Sequence, residues 1–162
     1  MYSKNIIFMD GEFNGLSANG TEFLSLALIK PNGDELYLEI ETDSKIDEWV
    51  KDNVVPHLTG ETVSKGAAIQ KITRFVGDSK PYLIADVNQF DWMGICGLFG
   101  VWNVPFFYIP IDFASILWSK GIDIDVNREE FAKEQGIDVS NFKKHNALDD
   151  TRVLKALYEK LS

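Results

Sequence analysis

The chain has 162 residues, 45% of them hydrophobic, enough to bury the core of one globular domain, which we expect to run over 1–162. Its 16 basic against 25 acidic side chains give a formal charge of −9. That excludes a general basic field for nucleic acid, so any polyanion must be met locally, where bound cations can reverse the sign of an acidic pocket. Cys96 is the only cysteine, which excludes an internal disulfide, and its apolar setting suits an inert core thiol. The opening residues Met1 to Asn5 are polar, and no apolar run approaches the roughly 18 residues of a membrane span, so a cytoplasmic protein without a membrane segment is expected.

The first element is an apolar run, Ile6 to Met9, ending in Asp10-Gly11-Glu12. Side chains two apart on a strand leave the same face, so both carboxylates point to one spot while Gly11 leaves room for close approach on the other side. A divalent cation such as Mg²⁺ or Mn²⁺ would relieve their repulsion, although two solvated acids at a strand end would show the same spacing. Phe13 to Gly20 is rich in turn formers, Thr21 to Lys30 resumes a strand, Pro31 to Asp34 is a turn, and Leu36 to Ile40 is a third strand. These make an antiparallel meander. Lys45 to Val55 is helical by the spacing of Ile46, Trp49, Val50 and Val54, closed by Pro56-His57, where His57 suits a C-cap or surface role. Ser64 caps a helix to about Val76, and Pro81 to Asp86 reads as a buried strand parallel to the first.

Phe90 to Phe99 is predicted helical and Pro105 to Pro110 an edge strand, with Trp92, Phe99, Trp102, Phe106 and Phe107 as core packing around the middle helix. Helices are expected over Asp112 to Lys120 and Asn127 to Gln135, separated by a loop at Gly121 to Asp125. The last helix, Asn146 to Leu161, has no internal Gly or Pro. The fold class is therefore α/β, a mixed sheet of five to six strands, antiparallel meander then parallel strands, flanked by helices. Ligands of such sheets gather at the C-terminal ends of parallel strands, which puts Asp10 and Glu12 beside the segment from Asp86 to Asp91.

On the last helix Ala147, Asp150, Leu154, Leu157 and Leu161 share one stripe, and Asp150 is its only charge. A carboxylate turned into the protein needs a partner, and cations at Asp10 and Glu12 would supply one. Asp149 falls to solvent or the helix N-terminus. His145, five residues before Asp150, has the chemistry of a general base near neutral pH, though a plain surface or core histidine fits the same position. Asp91 opens the middle helix, where the helix dipole alone would also favour an acid. Lys143 and Lys144 beside His145, with Arg152, form the basic cluster near this site, and simple solubility would explain them as well.

Together the segments resemble the DEDDh branch of the DnaQ-like 3'-5' exonucleases, which show Asp-x-Glu on the first strand, a Phe/Tyr-Asp pair opening a middle helix, and His followed five residues later by Asp on the last. Here these are Asp10/Glu12, Phe90-Asp91 and His145/Asp150. Trp49-Val50-Lys51, Val55-Pro56 and Phe90-Asp91-Trp92 are similar to the small single-domain exoribonuclease-like branch. The resemblance implies an RNase H-like fold and a metal-dependent 3'-5' exonuclease releasing nucleoside 5'-monophosphates. Two divalent cations, Mg²⁺ or Mn²⁺, would be held by Asp10, Glu12, Asp91 and Asp150, with Asp10 bridging them and His145 taking the proton of the attacking water. It places substrate contacts at Phe13, Asn14, Gly15 and Leu16, with Lys144 beside the histidine, and a homodimer among the assemblies to be expected. The chain departs from the family at Phe13, where Thr is common, and at Asp86-Val87, where His-Asn is common. The expected partners are single-stranded 3' ends, RNA favoured; single-stranded DNA is the alternative, and a catalytically silent nucleic-acid-binding module the second.

Overall fold

The computed structural model describes residues 4–17 and 20–162. Six strands form one mixed sheet: β1 (Ile6–Ser17), β2 (Gly20–Ile29), β3 (Glu35–Ile40), β4 (Thr62–Val63), β5 (Tyr82–Ala85) and β6 (Ile111–Asp112) lie in the order β4-β3-β2-β1-β5-β6. The meander β1-β2-β3 is antiparallel, and β5 runs parallel to β1 with Phe8 opposite Ile84.

Strand alternation divides the core. Ile7 and Met9 of β1 face a cluster built with α2 (Lys65–Val76) and α3 (Gln89–Phe99), whose Ala68, Ile72 and Ile95 are buried there. Ile6 and Phe8 face the opposite cluster, made by α4 (Phe113–Ser119), α5 (Arg128–Glu134) and α6 (Ala147–Leu161) through Phe113, Leu117, Phe131, Leu154 and Leu157. The sheet is thus covered on both faces. α1 (Glu48–Asn53) sits over Leu24 at the hairpin end through Val50 and Val54. Side-chain oxygens of Asp47, Ser64, Asp112, Asn127 and Asn146 cap five of the helices. Among the described residues no helix is long and apolar enough to cross a membrane.

The structure corrects the sequence reading in four places. The expected loop from Phe13 is strand up to Ser17, because Asn14 and Gly15 fall within register shifts of the β1-β2 ladder, with Gly15 at φ 75°, and do not end it; Ala18 and Asn19, like Met1 to Ser3, lie outside the described residues. Pro105 to Pro110 is not a strand. Phe106 is buried in the core, and the edge pairing starts only after Pro110, which has no N–H to donate, with Ile111 opposite Ile84. Trp102 is 93% exposed, because the helix stops at Gly100 (φ 79°) and the following turn carries the indole away from the core. The first of the helices is shorter than expected: α1 ends at Asn53 and Val55 to His57 form a separate 3-10 turn ahead of Leu58.

Candidate active site

Because β1 alternates, Asp10 and Glu12 leave on the face of Ile6 and Phe8, the face covered by α6. Asp150, in the first turn of α6, meets them: one carboxylate oxygen from each of Asp10, Glu12 and Asp150 lies within 4.8 Å of the other two. At that separation a pair of like charges repels by about 3 kcal/mol even at an effective dielectric of about 20. Three such pairs cannot be offset by an exposed lysine. Cations or protons must bind.

Asp91 approaches from α3, near enough for its charge to act on Asp10 and for that of Glu12 to act on it, but its oxygens are not among the three that lie within 4.8 Å of one another. Its side chain is 4% exposed, and its Oδ1 has no hydrogen-bond partner in the described structure. Two glycines allow this approach. A Cβ on Gly11 would overlap the Phe23 ring and stand 3.2 Å from Asp91 Oδ1, and a Cβ on Gly94 would come within 2.5 Å of the same ring. Phe23 is the spacer between strand and helix, and the missing side chains on either side of it bring the helix start down onto β1.

The fourth part is the entry to α6. Asn146 caps the helix, its Oδ1 accepting the Asp149 amide at 3.2 Å, while its Nδ2 donates to the His57 carbonyl at 3.3 Å. His145 precedes it in the left-handed region, φ 64°, a conformation that costs a non-glycine residue roughly 1–3 kcal/mol. The Asn146 amide donates to the Lys143 carbonyl at 3.1 Å, and the His145 and Asn146 amides lie close enough to the Asp150 carboxylate to favour its charged form. The His145 ring stands edge-on to Trp49 with centroids 5.4 Å apart.

Burial and mutual repulsion push the acids up. Glu12 is raised to about 8 by burial and then by Asp150. Asp150 is raised to about 7 by burial, against the pull of the His145 and Asn146 amides and of Lys144. Asp10 is held well above the carboxylate range by burial and by Asp150, Asp91, Glu12 and Asp86, and Asp91 likewise by burial, with Glu12 and Asp86 adding to it. His145 is shifted down by burial and by the nearby Lys144 and His57. A divalent cation reverses this logic by favouring every ionised form at once. The donor set is oxygen only, which suits a hard ion, and the buried Asp91 Oδ1, without a hydrogen-bond partner, is an oxygen such an ion could satisfy. The residues fit a divalent cation.

The remaining sequence candidates divide. Asp149 stays out of the cluster, pairing with Arg152 at 3.0 Å and accepting the Lys143 amide. Arg152 is spent in a two-toothed pair with Glu35 of β3 at 2.6 and 2.9 Å, so it does not join Lys143 and Lys144 in a basic cluster facing the acids. Phe13 packs on Phe23 with centroids 4.9 Å apart, and Asn14 brackets the segment before α1 by donating to Lys45 O and accepting the Asp47 amide. Gly15 is left-handed with open space around it, Leu16 is 56% exposed, and Lys144 is exposed with its charge felt by Asp150 and His145. Sequence reasoning missed Trp49 and His57 as neighbours of His145. The recurrence of apolar residues placed Trp49 on a helix, but nothing local told that this helix ends against a loop nearly a hundred residues later.

No protein-family model matches the chain, and no curated protein does. Solved structures do. The zinc-bound E. coli exonuclease I complex with single-stranded DNA matches at 15% identity over 96% of this chain with a TM-score of 0.76. Exonuclease I from Methylocaldum szegediense matches at 16% identity over 96% of the chain, TM-score 0.72. A further exonuclease I structure, described as suggesting how processivity is achieved, matches at 16% identity and TM-score 0.75. The chain spans about 40% of the length of these proteins. The fold, a mixed six-stranded sheet between helices, is the RNase H-like fold that these exonuclease I structures share.

Proposed function

We propose that the chain is a metal-dependent 3'-5' exonuclease of the DEDDh pattern that removes nucleoside 5'-monophosphates from single-stranded or short nucleic acid. The observation that carries this reading is the convergence of Asp10, Glu12 and Asp150 oxygens within 4.8 Å, with the unpartnered Asp91 Oδ1 arriving from a different element. Asp10, Glu12, Asp91 and Asp150 would hold two divalent cations, Mg²⁺ or Mn²⁺. When bound, such cations supply Lewis-acid activation and charge neutralisation at the phosphodiester.

The chain's own residues do the rest. His145, shifted down and so neutral at pH 7, takes a proton from water as the water oxygen bonds to phosphorus; the bond from phosphorus to the 3' oxygen breaks, and that oxygen takes a proton from a solvent water as it leaves. The left-handed turn at His145 leads directly into α6, which holds His145 five residues from Asp150 at the start of that helix. Leu16 and Trp49, both more than half exposed beside this cluster of elements, offer apolar surfaces to the terminal bases, and Lys144 offers charge to a phosphate.

RNA is the favoured substrate, by the resemblance of Trp49-Val50-Lys51 and Phe90-Asp91-Trp92 to the small exoribonuclease-like branch. The second reading is single-stranded DNA, favoured by the crystallisation of E. coli exonuclease I with dT13 and dA16 oligonucleotides. Digestion of 5'-labelled RNA and DNA of equal sequence, with Mg²⁺, Mn²⁺ or EDTA, separates them. The expected result is a metal-dependent ladder shortening from the 3' end, faster on RNA; faster loss of DNA moves the assignment to the second reading, and an intact label with every metal removes both.

A further inference from the structure

Asp86 is a fifth carboxylate at the same sheet end, and the proposed ligand set does not use it. It follows Ala85 directly, at the end of β5, and lines a small cavity of about 60 Å³ together with Asp10, Asp150 and Arg128. Arg128, the first residue of α5, closes on it with both teeth of its guanidinium: Nε donates to Asp86 Oδ2 at 2.7 Å and a terminal nitrogen to Oδ1 at 3.0 Å. Two further N–H groups are spent on the carbonyls of Val126 at 2.6 Å and Ile124 at 2.9 Å. Four of the five donors of the guanidinium are thus committed, and the side chain is only 22% exposed. It is an anchored charge and not a free hand for phosphate. The turn beyond Asp86 is held at its other end as well. Val87 is left-handed at φ 53°, and the Asn88 amide donates to Asp112 Oδ1 at 3.2 Å.

We propose that Arg128 is a positioning residue that sets the charge of the carboxylate cluster: by pinning and neutralising Asp86, it keeps a fifth acid out of the ligand set and limits how tightly divalent cations are held. Tight binding is no advantage at a site where charge must be released with the product, and four acids already suffice for two divalent ions. The inference rests on the metal-site reading above. Its charge logic has opposite signs for the two partners. Without Arg128, Asp86 becomes an unpaired anion beside Asp10 and the cluster attracts cations more strongly. With Asp86 neutral, Arg128 becomes an unpaired cation in the same cavity and repels them. A pin with only a structural role would push both variants the same way.

Calorimetric titration of Mn²⁺ into the wild-type chain, Arg128→Gln, Asp86→Asn, the double variant and Arg128→Lys tests this. The Kd is expected to fall about tenfold in Arg128→Gln, rise about tenfold in Asp86→Asn, and return to within about threefold of wild type in the double variant and in Arg128→Lys. Weaker binding in both single variants, or no change in either, overturns the proposal. If a single variant does not fold, the other two decide: a shift in Arg128→Lys or in the double variant as large as the tenfold step overturns it. Failure of the wild-type chain to bind Mn²⁺ would instead remove the metal-site reading itself, and this inference with it.

Discussion

Asp150 shows how much of the site is written in single residues. Its carboxylate is raised to about 7 by burial among like charges, so at pH 8 the metal-free chain carries it ionised at a cost. Asp150→Asn removes that cost, and we expect it to unfold at higher temperature than wild type in EDTA, by about 1–3 kcal/mol of stability, while losing the stabilisation that Mn²⁺ gives. A melt that shows equal Mn²⁺ shifts in both proteins would place the cation elsewhere. Gly11 is the matching steric case. Gly11→Ala sets a methyl against Phe23 and Asp91 Oδ1, and should cost about 1–3 kcal/mol in denaturant unfolding and weaken Mn²⁺ binding together. The strand period put Asp10 and Glu12 on one face and the helix period put Asp150 on the buried stripe, and the need of a buried carboxylate for a partner brought the three together. The Asp86 and Arg128 pair was not legible. Its partners are 42 residues apart, and although Asp86 was read at the end of its strand beside the site, nothing local ties Arg128 to it.

Among the elements, the start of α6 gathers the most candidate site residues. Asn146 caps it, ties it to the His57 carbonyl and leads out of the His145 turn. Asn146→Ala should cost about 1 kcal/mol of stability, as lost caps do, yet lower the rate of nucleotide release by a larger factor than the unfolded fraction explains, since His145 and the amides on Asp150 lose their bracket. Equal losses in stability and rate would make the residue a cap and nothing more. α2 and α6 were readable because Ser64 and Asn146 mark their starts and apolar residues recur on one face. β4 has two residues and no pattern to read, and β6 follows a proline-flanked run that imitates a strand while filling the core as a loop. The extension of β1 was hidden by Asn14 and Gly15, turn formers that here make irregularities in a long ladder.

For the whole molecule, the acidic surface and the acidic site give a definite pH dependence. A carboxylate raised in the folded state binds its proton there at pH values where the unfolded chain has released it, so stability falls as pH rises through the gap between the unfolded and folded values. With Glu12 at about 8 and Asp150 at about 7, that gap runs from roughly pH 4 to 8. His145, shifted down, opposes it by disfavouring acid below its ordinary value near 6.5, and Glu39, held low by the Thr59 and Gly60 amides, contributes stability that is lost only in stronger acid. The two strongly raised acids decide the sign. In EDTA the Tm should drop between pH 5 and pH 8, and the Mn²⁺-induced rise in Tm should grow over the same range; a flat profile would mean that the acids are not coupled as their geometry requires. The measurement that bears most directly on the central claim is the rate of nucleoside 5'-monophosphate release from a single-stranded oligonucleotide by wild type, Asp10→Asn and His145→Ala with Mn²⁺ present. We expect release by wild type, abolished by EDTA and reduced at least about a hundredfold in both variants. Equal release by all three, or metal-independent oligonucleotide binding without release by wild type and Asp10→Asn alike, would contradict the account.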